Sequence, residues 1–341
     1  MVRVGIVGVG FMGRIHFLGL RQVRGAKLVA ICSRDPAKLR GDWTQTRGNF
    51  GPEPGPVDLT GVKAYADYAD MLADPDIDLI NVCNPTHLHP ATAIAALNAG
   101  KHVLVEKAIA LTAADADAML AAAAKAGKLL MVAHVLPFFP EFAFAAEAVR
   151  SGRHGKLLAA HFTRVISRPD WSADIGDAAK TGGPAVDLHV HDTHFIGLLC
   201  GVPREVFSTG IVEGDAVNYL TTQYLYGPGG PSVICSSGAI AAAGRPFAHG
   251  FELYLEGATL AYHSGGVPLT VFTPDGQSAA PRLDGGGDPI AAFRAEIQAA
   301  VDGVTAGVVP DILSARLARD ALAMCHRECE SVKLGRPVRV A

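Results

Sequence analysis

The hexapeptide Gly8-Val9-Gly10-Phe11-Met12-Gly13 directly follows an apolar run, Val2 to Val7, and opens a helical stretch. In that context the glycines have separate duties: a tight turn, close approach of backbone to a pyrophosphate, and close helix-strand packing. The helix N-terminus then offers free N–H groups to the phosphates. Alone, G-x-G-x-x-G is a weak signal and can be a structural turn. Strand before, helix after and a second strand on schedule point to dinucleotide binding, with Gly8, Gly10, Phe11, Met12 and Gly13 at the coenzyme. A second group lies far downstream. Asp187, His191 and His194 are spaced i, i+4 and i+7, one face if the segment is a single helix. A carboxylate beside an imidazole makes it a better base. The third element is Lys107, at the carboxyl end of the run His102 to Val105, where open α/β sheets bind ligands. Together these supply what oxidation of a secondary alcohol needs: a base for the hydroxyl proton, a cation for the developing alkoxide and a hydride acceptor.

The ribose-reading position falls about 20 residues past the glycines. There the second strand ends Cys32-Ser33-Arg34-Asp35-Pro36. Asp35 before Pro36 reads as an N-cap with proline at N1. Ser33 and Arg34 occupy the discriminating spot, and a guanidinium can hold a 2′-phosphate. Both NADP and NAD are therefore expected to bind, NADP slightly favoured; the alternative is that Arg34 stacks on adenine.

The elements that must position these groups are legible as periods. Val2–Val7, Lys27–Cys32, Leu79–Cys83, His102–Val105 and Leu129–Val135 read as strands, with helices over 90–98 and 112–127. Strand and helix in alternation predict a doubly wound parallel sheet. The stretch Gly41 to Gly61, rich in glycine and proline, reads as a long functional or mobile loop. Past about Pro140 the chain turns β-rich, with runs at 157–166, 205–212, 217–226, 232–237, 251–255 and 267–272, one helix over 185–199, and helices over 290–301 and 312–332. The fold class is α/β: a Rossmann domain over 1–134, then a second α/β domain over 135–341 with a mostly antiparallel sheet.

Bulk properties agree. The 341 residues, 49% apolar and 18% charged, can bury two cores. A net charge of -3 gives no overall field for nucleic acid or anionic lipid. Six scattered cysteines without a C-x-x-C pair, no signal sequence and no long apolar run point to a cytoplasmic protein with reduced thiols. No metal site is expected. His87-x-His89 with His189-x-His191-x-x-His194 keeps a metal hydrolase as a lesser alternative.

Two more segments carry a resemblance. Asn84-Pro85-Thr86-His87-Leu88-His89 with Gly100-Lys101-His102-Val103-Leu104-Val105-Glu106-Lys107 is one; Gly182-Gly183-Pro184-Ala185-Val186-Asp187-Leu188-His189-Val190-His191 is the other. With the glycine motif these resemble the Gfo/Idh/MocA oxidoreductases over nearly the whole chain. The resemblance implies that the family's E-K-P lysine is Lys107, that its D-x-x-x-H pair is Asp187 and His191, and that Asn84, Pro85, Thr86, His87 and Glu106 flank the coenzyme. It implies a sugar, inositol or related polyol as substrate. It also implies a homodimer or homotetramer, with the large sheet often the interface. Some relatives of this fold keep a nicotinamide in a closed redox cycle, which stands as the alternative outcome. The sequence departs from the family at Ala108, which replaces the proline after the lysine and leaves its pose less fixed, and at His194, which replaces a frequent aspartate. Arg168 and Trp171 lie in a segment that often nears cofactor or substrate in the family, with core packing the alternative for Trp171. His189 is expected to be structural and Asp192 a surface or interface group.

Overall fold

A computed structural model describes residues 1–168, 177–283 and 288–340. By contacts the chain divides into two compact units, Met1–Phe138 with Gly287–Arg319, and Phe139–Gly286 with Asp320–Ala341. The return of the later segment to the first unit was not part of the expected division at 134.

The first unit contains β1 (Val2–Val7), α1 (Phe11–Leu20), β2 (Ala26–Cys32), α2 (Pro36–Leu39), β3 (Lys63–Tyr65), α3 (Tyr68–Ala73), β4 (Leu79–Val82), α4 (His89–Asn98), β5 (His102–Glu106), α5 (Ala113–Ala126) and β6 (Leu130–Ala133). Its six strands are all parallel, in the order β3-β2-β1-β4-β5-β6. Every residue of β4 and β6 is buried, as a sheet covered on both faces requires. The order reverses direction between β1 and β4, so the crevice beyond their carboxyl ends is the ligand-binding position of such sheets. Local chemistry sets the helix ends. Thr112 Oγ1 accepts from Asp115 N at 3.1 Å, and Gly127 closes α5 at φ 62°, where a side chain would be strained.

The long loop over 41–61, read as functional or mobile, is held by side chains at several points. Trp43 is buried against Phe17 and donates to the Lys38 carbonyl at 2.9 Å. Arg14 of α1 donates to the carbonyls of Pro52 and Glu53, at 2.7 and 2.6 Å. Phe50 meets Phe11 edge-on at 4.8 Å. Aromatic burial and charge-assisted bonds thus replace secondary structure there. The returning helix, α10 (Ala291–Ala306), buries Ile297, Ala300 and Val301 in one core cluster with Val2, Leu20, Leu104 and Met131.

In the second unit come α6 (Pro140–Arg150), β7 (Leu157–Ser167), α7 (Ala178–Thr181), α8 (Pro184–Asp187), α9 (Val190–Cys200), β8 (Glu205–Glu213), β9 (Ala216–Leu225), β10 (Ser232–Ala241), β11 (Ala248–Leu255), β12 (Ala258–His263), β13 (Val267–Phe272), β14 (Ser278–Ala279) and β15 (Val338–Arg339). Helix α11 (Ala315–Leu334) has its first residues in the first unit and the rest in the second. The nine strands run β14-β13-β12-β11-β7-β10-β9-β8-β15, antiparallel except for the β10–β7 pair. The single helix expected over 185–199 is two, because the chain breaks at Leu188-His189. Among the described residues no helix is long and apolar enough to cross a membrane.

Behind α9 lies a buried ion pair. Asp192, expected to be a surface or interface group, is 1% exposed, and both its oxygens accept from Arg164 of β7, at 2.8 and 3.0 Å. Removing one partner strands a buried charge, so Arg164→Met is expected to cost about 3–5 kcal/mol in urea unfolding. Arg164→Met with Asp192→Leu is expected to regain most of it. Equal losses in single and double variants would show that packing, not charge, dominates.

Candidate active site

At the head of the first unit the glycine motif has the geometry of its assigned duties. Gly8 follows β1 with φ +90°, and a Cβ there would lie 2.5 Å from Asn84 N. A Cβ on Gly13 would lie 2.0 Å from the Gly8 carbonyl oxygen, so α1 packs on the turn only because that Cβ is absent. Gly10, the N-cap of α1, has open space within 4 Å of its Cβ position. Phe11 and Met12 form the first turn of α1, where backbone N–H groups have no partner within the helix. A pyrophosphate fits such a cradle: backbone can approach closely and the helix terminus favours the anion.

On the neighbouring strand end, Asn84, Pro85, Thr86 and His87 form the turn after β4. Asn84 Nδ2 donates to Thr92 Oγ1 at 2.8 Å, while its Oδ1 is buried with no hydrogen-bond partner among the described residues. An amide N–H of a bound coenzyme would satisfy that acceptor. Thr86 is buried, and Pro85 and His87 are exposed. Beyond β2, Asp35 caps α2 by accepting from Ala37 N at 2.9 Å, as expected of an N-cap. That use turns its carboxylate toward the helix. Ser33 Oγ accepts from Asp35 N at 3.1 Å, and Arg34 is exposed.

Lys107 follows β5 immediately and is half-buried. Its peptide bond to Ala108 is cis. Glu106 is buried, 6% exposed, and its Oε2 accepts from Lys107 N at 3.1 Å. Glu106 thus holds the lysine's backbone more than it faces a ligand. His89 bridges two strand ends: Nε2 lies 2.8 Å from the Asn84 carbonyl oxygen and Nδ1 2.8 Å from that of Ala108. Within this unit the structure brings together Gly8, Asn84, Glu106 and Lys107, all at carboxyl ends of β1, β4 and β5.

In the second unit Asp187 ends α8 and His191 is the second residue of α9; both are half-buried. They are not on one continuous helix with His194, because the turn at Leu188-His189 lies between. His194 is fully buried, and burial pushes its pKa down to about 3. That leaves it neutral and with no surface to offer a substrate. His189 is buried against Glu328, with Tyr224 Oη at 3.4 Å; burial opposes its charge, but Glu328 raises its pKa above the ordinary range. Arg168 is exposed and paired to Glu213. Trp171 lies outside the described residues.

Among the described residues one group has the spacing of metal ligands. His189, Asp192 and Cys235 bring ligand atoms within 4.8 Å of one another. The Arg164 guanidinium already neutralises Asp192 there, and a divalent cation beside it would be repelled.

Two carboxyl and imidazole groups escaped the sequence reading, His16 of α1 and Glu296 of α10. Both are fully buried in the first unit. His16 lies three residues past Gly13 and so faces the sheet with it, a spacing visible in the sequence. Glu296 carried no such signal.

A doubly wound sheet with a glycine cradle at its switch point, joined to a unit built on a large mixed sheet, defines a dinucleotide-binding α/β protein. Residues 2–134 match the model of the "Oxidoreductase family, NAD-binding Rossmann fold", and 142–261 match the "GFO/IDH/MocA C-terminal domain". The chain belongs to the Gfo/Idh/MocA family. It is 31% identical to myo-inositol 2-dehydrogenase of Thermotoga maritima over 63% of this chain and 60% of that one. The chain spans between 47% and 60% of the first curated relatives it matches. In fold it is similar to an NAD-binding oxidoreductase from Klebsiella pneumoniae, with TM-score 0.85, 22% identity and 100% and 99% of the two chains covered. A levoglucosan dehydrogenase in complex with NADH and levoglucosan gives TM-score 0.84 at 20% identity, covering 99% of each chain.

Proposed function

We propose that this protein is an NAD(P)-dependent oxidoreductase that moves a hydride between nicotinamide and a secondary alcohol or ketone of a sugar, inositol or related polyol. The observation that carries the reading is the placement of the glycine cradle and Lys107 at carboxyl ends of strands in one parallel sheet. The nicotinamide, when bound, takes or returns the hydride. Gly8, Gly10, Phe11, Met12 and Gly13 hold the pyrophosphate, and Asn84, Pro85, Thr86 and His87 line the ring's side of the turn. In the oxidative direction His191 takes the hydroxyl proton, a task suited to imidazole near neutral pH. Lys107 donates a hydrogen bond to the oxygen and steadies its growing negative charge. Asp187 positions His191 or a substrate hydroxyl. The names of relatives that act on inositol and levoglucosan support the substrate class.

Both coenzymes are proposed to bind, with NADP favoured. Asp35 is committed to its helix cap, so Ser33 and the exposed Arg34 meet the ribose. Arg34→Ala is expected to lower kcat/KM for NADP about tenfold or more, one charge-assisted contact's worth, and to change that for NAD less than threefold. A tenfold preference of the wild type for NAD would count against this.

The six cysteines are free thiols, which supports a reducing, cytoplasmic setting. A homodimer or homotetramer is proposed, on the support of Leu158, Ile211, Ile240 and Phe272, exposed on strands of the nine-stranded sheet. The functional reading is tested by following reduced-nicotinamide absorbance over a panel of sugars and inositols with each coenzyme. Coenzyme reduction with at least one polyol is expected. Turnover without any release of reduced coenzyme would instead indicate a closed redox cycle.

A further inference from the structure

A chain of buried polar groups runs through the first unit to the backbone of Lys107. It starts on the helix that follows the glycine motif. His16 of α1 is fully buried, and its Nε2 lies 2.7 Å from Glu106 Oε1. Asn81 of β4 is also buried, and its Nδ2 donates to His16 Nδ1 at 2.8 Å. With Asn81 donating to Nδ1, the proton on Nε2 faces Glu106. Protonating Nδ1 as well would leave that bond in place. The other Glu106 oxygen accepts from Lys107 N at 3.1 Å, just where the pairing of β5 with β6 ends at Glu106.

Glu296 of α10 stands behind His16. One of its oxygens is 4.0 Å from His16 Nε2, and neither has a hydrogen-bond partner among the described residues. A dry carboxyl without partners is costly, and an ionised one far more so. Burial pushes the Glu296 pKa well up, although the nearby His16 opposes this. Of the two carboxyl groups, only Glu106 stands within hydrogen-bond distance of His16, at 2.7 Å against 4.0 Å for Glu296.

We propose that His16, backed by Glu296, is a positioning residue for Lys107: it fixes the Glu106 carboxylate, which in turn fixes the lysine's backbone amide. The proposal rests on the catalytic role given to Lys107 above. Its consequence is that α1, which carries the coenzyme cradle at one end, also carries the support of the reacting lysine. Outer supports of this kind characteristically change function by about 10- to 100-fold.

The test compares His16→Met with His16→Gln, two side chains of similar bulk. Only glutamine can donate to Glu106. His16→Met is expected to lower kcat about 10- to 100-fold. Its Kd for reduced coenzyme, read by fluorescence titration, is expected to stay within about threefold, a split that general misfolding would not give. His16→Gln is expected to recover most of kcat. Equal kcat in the two variants overturns the proposal. If His16→Met does not fold, Glu106→Gln decides, since its amide presents only one acceptor oxygen: the same kcat loss with unchanged coenzyme Kd is expected, and full kcat overturns the proposal. Lys107→Ala separates the two layers. Full turnover there removes the catalytic reading itself; loss there with full turnover in His16→Met removes only this inference.

Discussion

If Lys107 has the role proposed for it, Lys107→Ala is expected to lower kcat on the substrate found in the panel by on the order of 100- to 1,000-fold, the usual cost of removing one preorganised donor from a developing oxyanion. The lysine stands directly after β5, half-buried, with its backbone tied to Glu106. In the proposed role the cation meets charge that grows in the transition state, so kcat should fall while KM for the coenzyme moves little. His191→Ala should lower kcat by on the order of 100- to 10,000-fold through loss of the proposed base. Steady-state kinetics of both variants decide the matter. Near-wild-type turnover in both would mean that other groups carry the chemistry.

The second large effect concerns the coenzyme cradle, where two alanines should behave differently. Gly13→Ala places a methyl 2.0 Å from the Gly8 carbonyl oxygen, a backbone atom that cannot swing aside. Helix α1 must shift off the turn, at about 1–3 kcal/mol of stability. Displacing the phosphate donors by about an ångström should weaken reduced-coenzyme binding on the order of 100-fold. Gly10→Ala meets nothing within 4 Å, and its φ of -92° suits alanine. Its melting temperature should stay that of the wild type, yet its methyl fills the opening through which a pyrophosphate would approach. Affinity should therefore drop without loss of stability. Thermal melts paired with fluorescence titration separate the cases. Unimpaired coenzyme binding in Gly10→Ala would move the phosphate site elsewhere.

Much of the first unit was legible because its signals are local. Buried parallel strands are apolar runs, Thr112 and Gly127 mark the ends of α5, and Asp35-Pro36 announces a cap. The short strand β3 was invisible, since Lys63–Tyr65 is too brief to show a period. In the second unit β12 was missed because Ala258–His263 has weak alternation and follows its partner after a two-residue turn. The break between α8 and α9 hid for another reason: Leu188 and His189 are ordinary helix residues, and no glycine or proline marks the bend. Reading through it put Asp187 on a face with His191 and His194. Burial of His194, Asp192 and Glu296 could not be seen at all. Polar types predict exposure, and only tertiary partners such as Arg164 reverse that expectation. The motif residues were easier, since position along a strand end follows from the strand itself.

The return of α10 to the amino-terminal sheet has a consequence for biosynthesis. Ile297, Ala300 and Val301 close the cluster that holds Val2, Leu20 and Met131. Burying a side chain such as Ile297 or Val301 is worth about 1.5–3 kcal/mol. On the ribosome Phe138 emerges well before Ala291, by on the order of ten seconds at roughly 5–20 residues per second. Through that interval the nascent sheet shows an uncovered apolar face, a natural target for a chaperone. A truncated product stopping at residue 134 would carry the same bare face permanently, and is expected to collect in the insoluble fraction while the full chain does not.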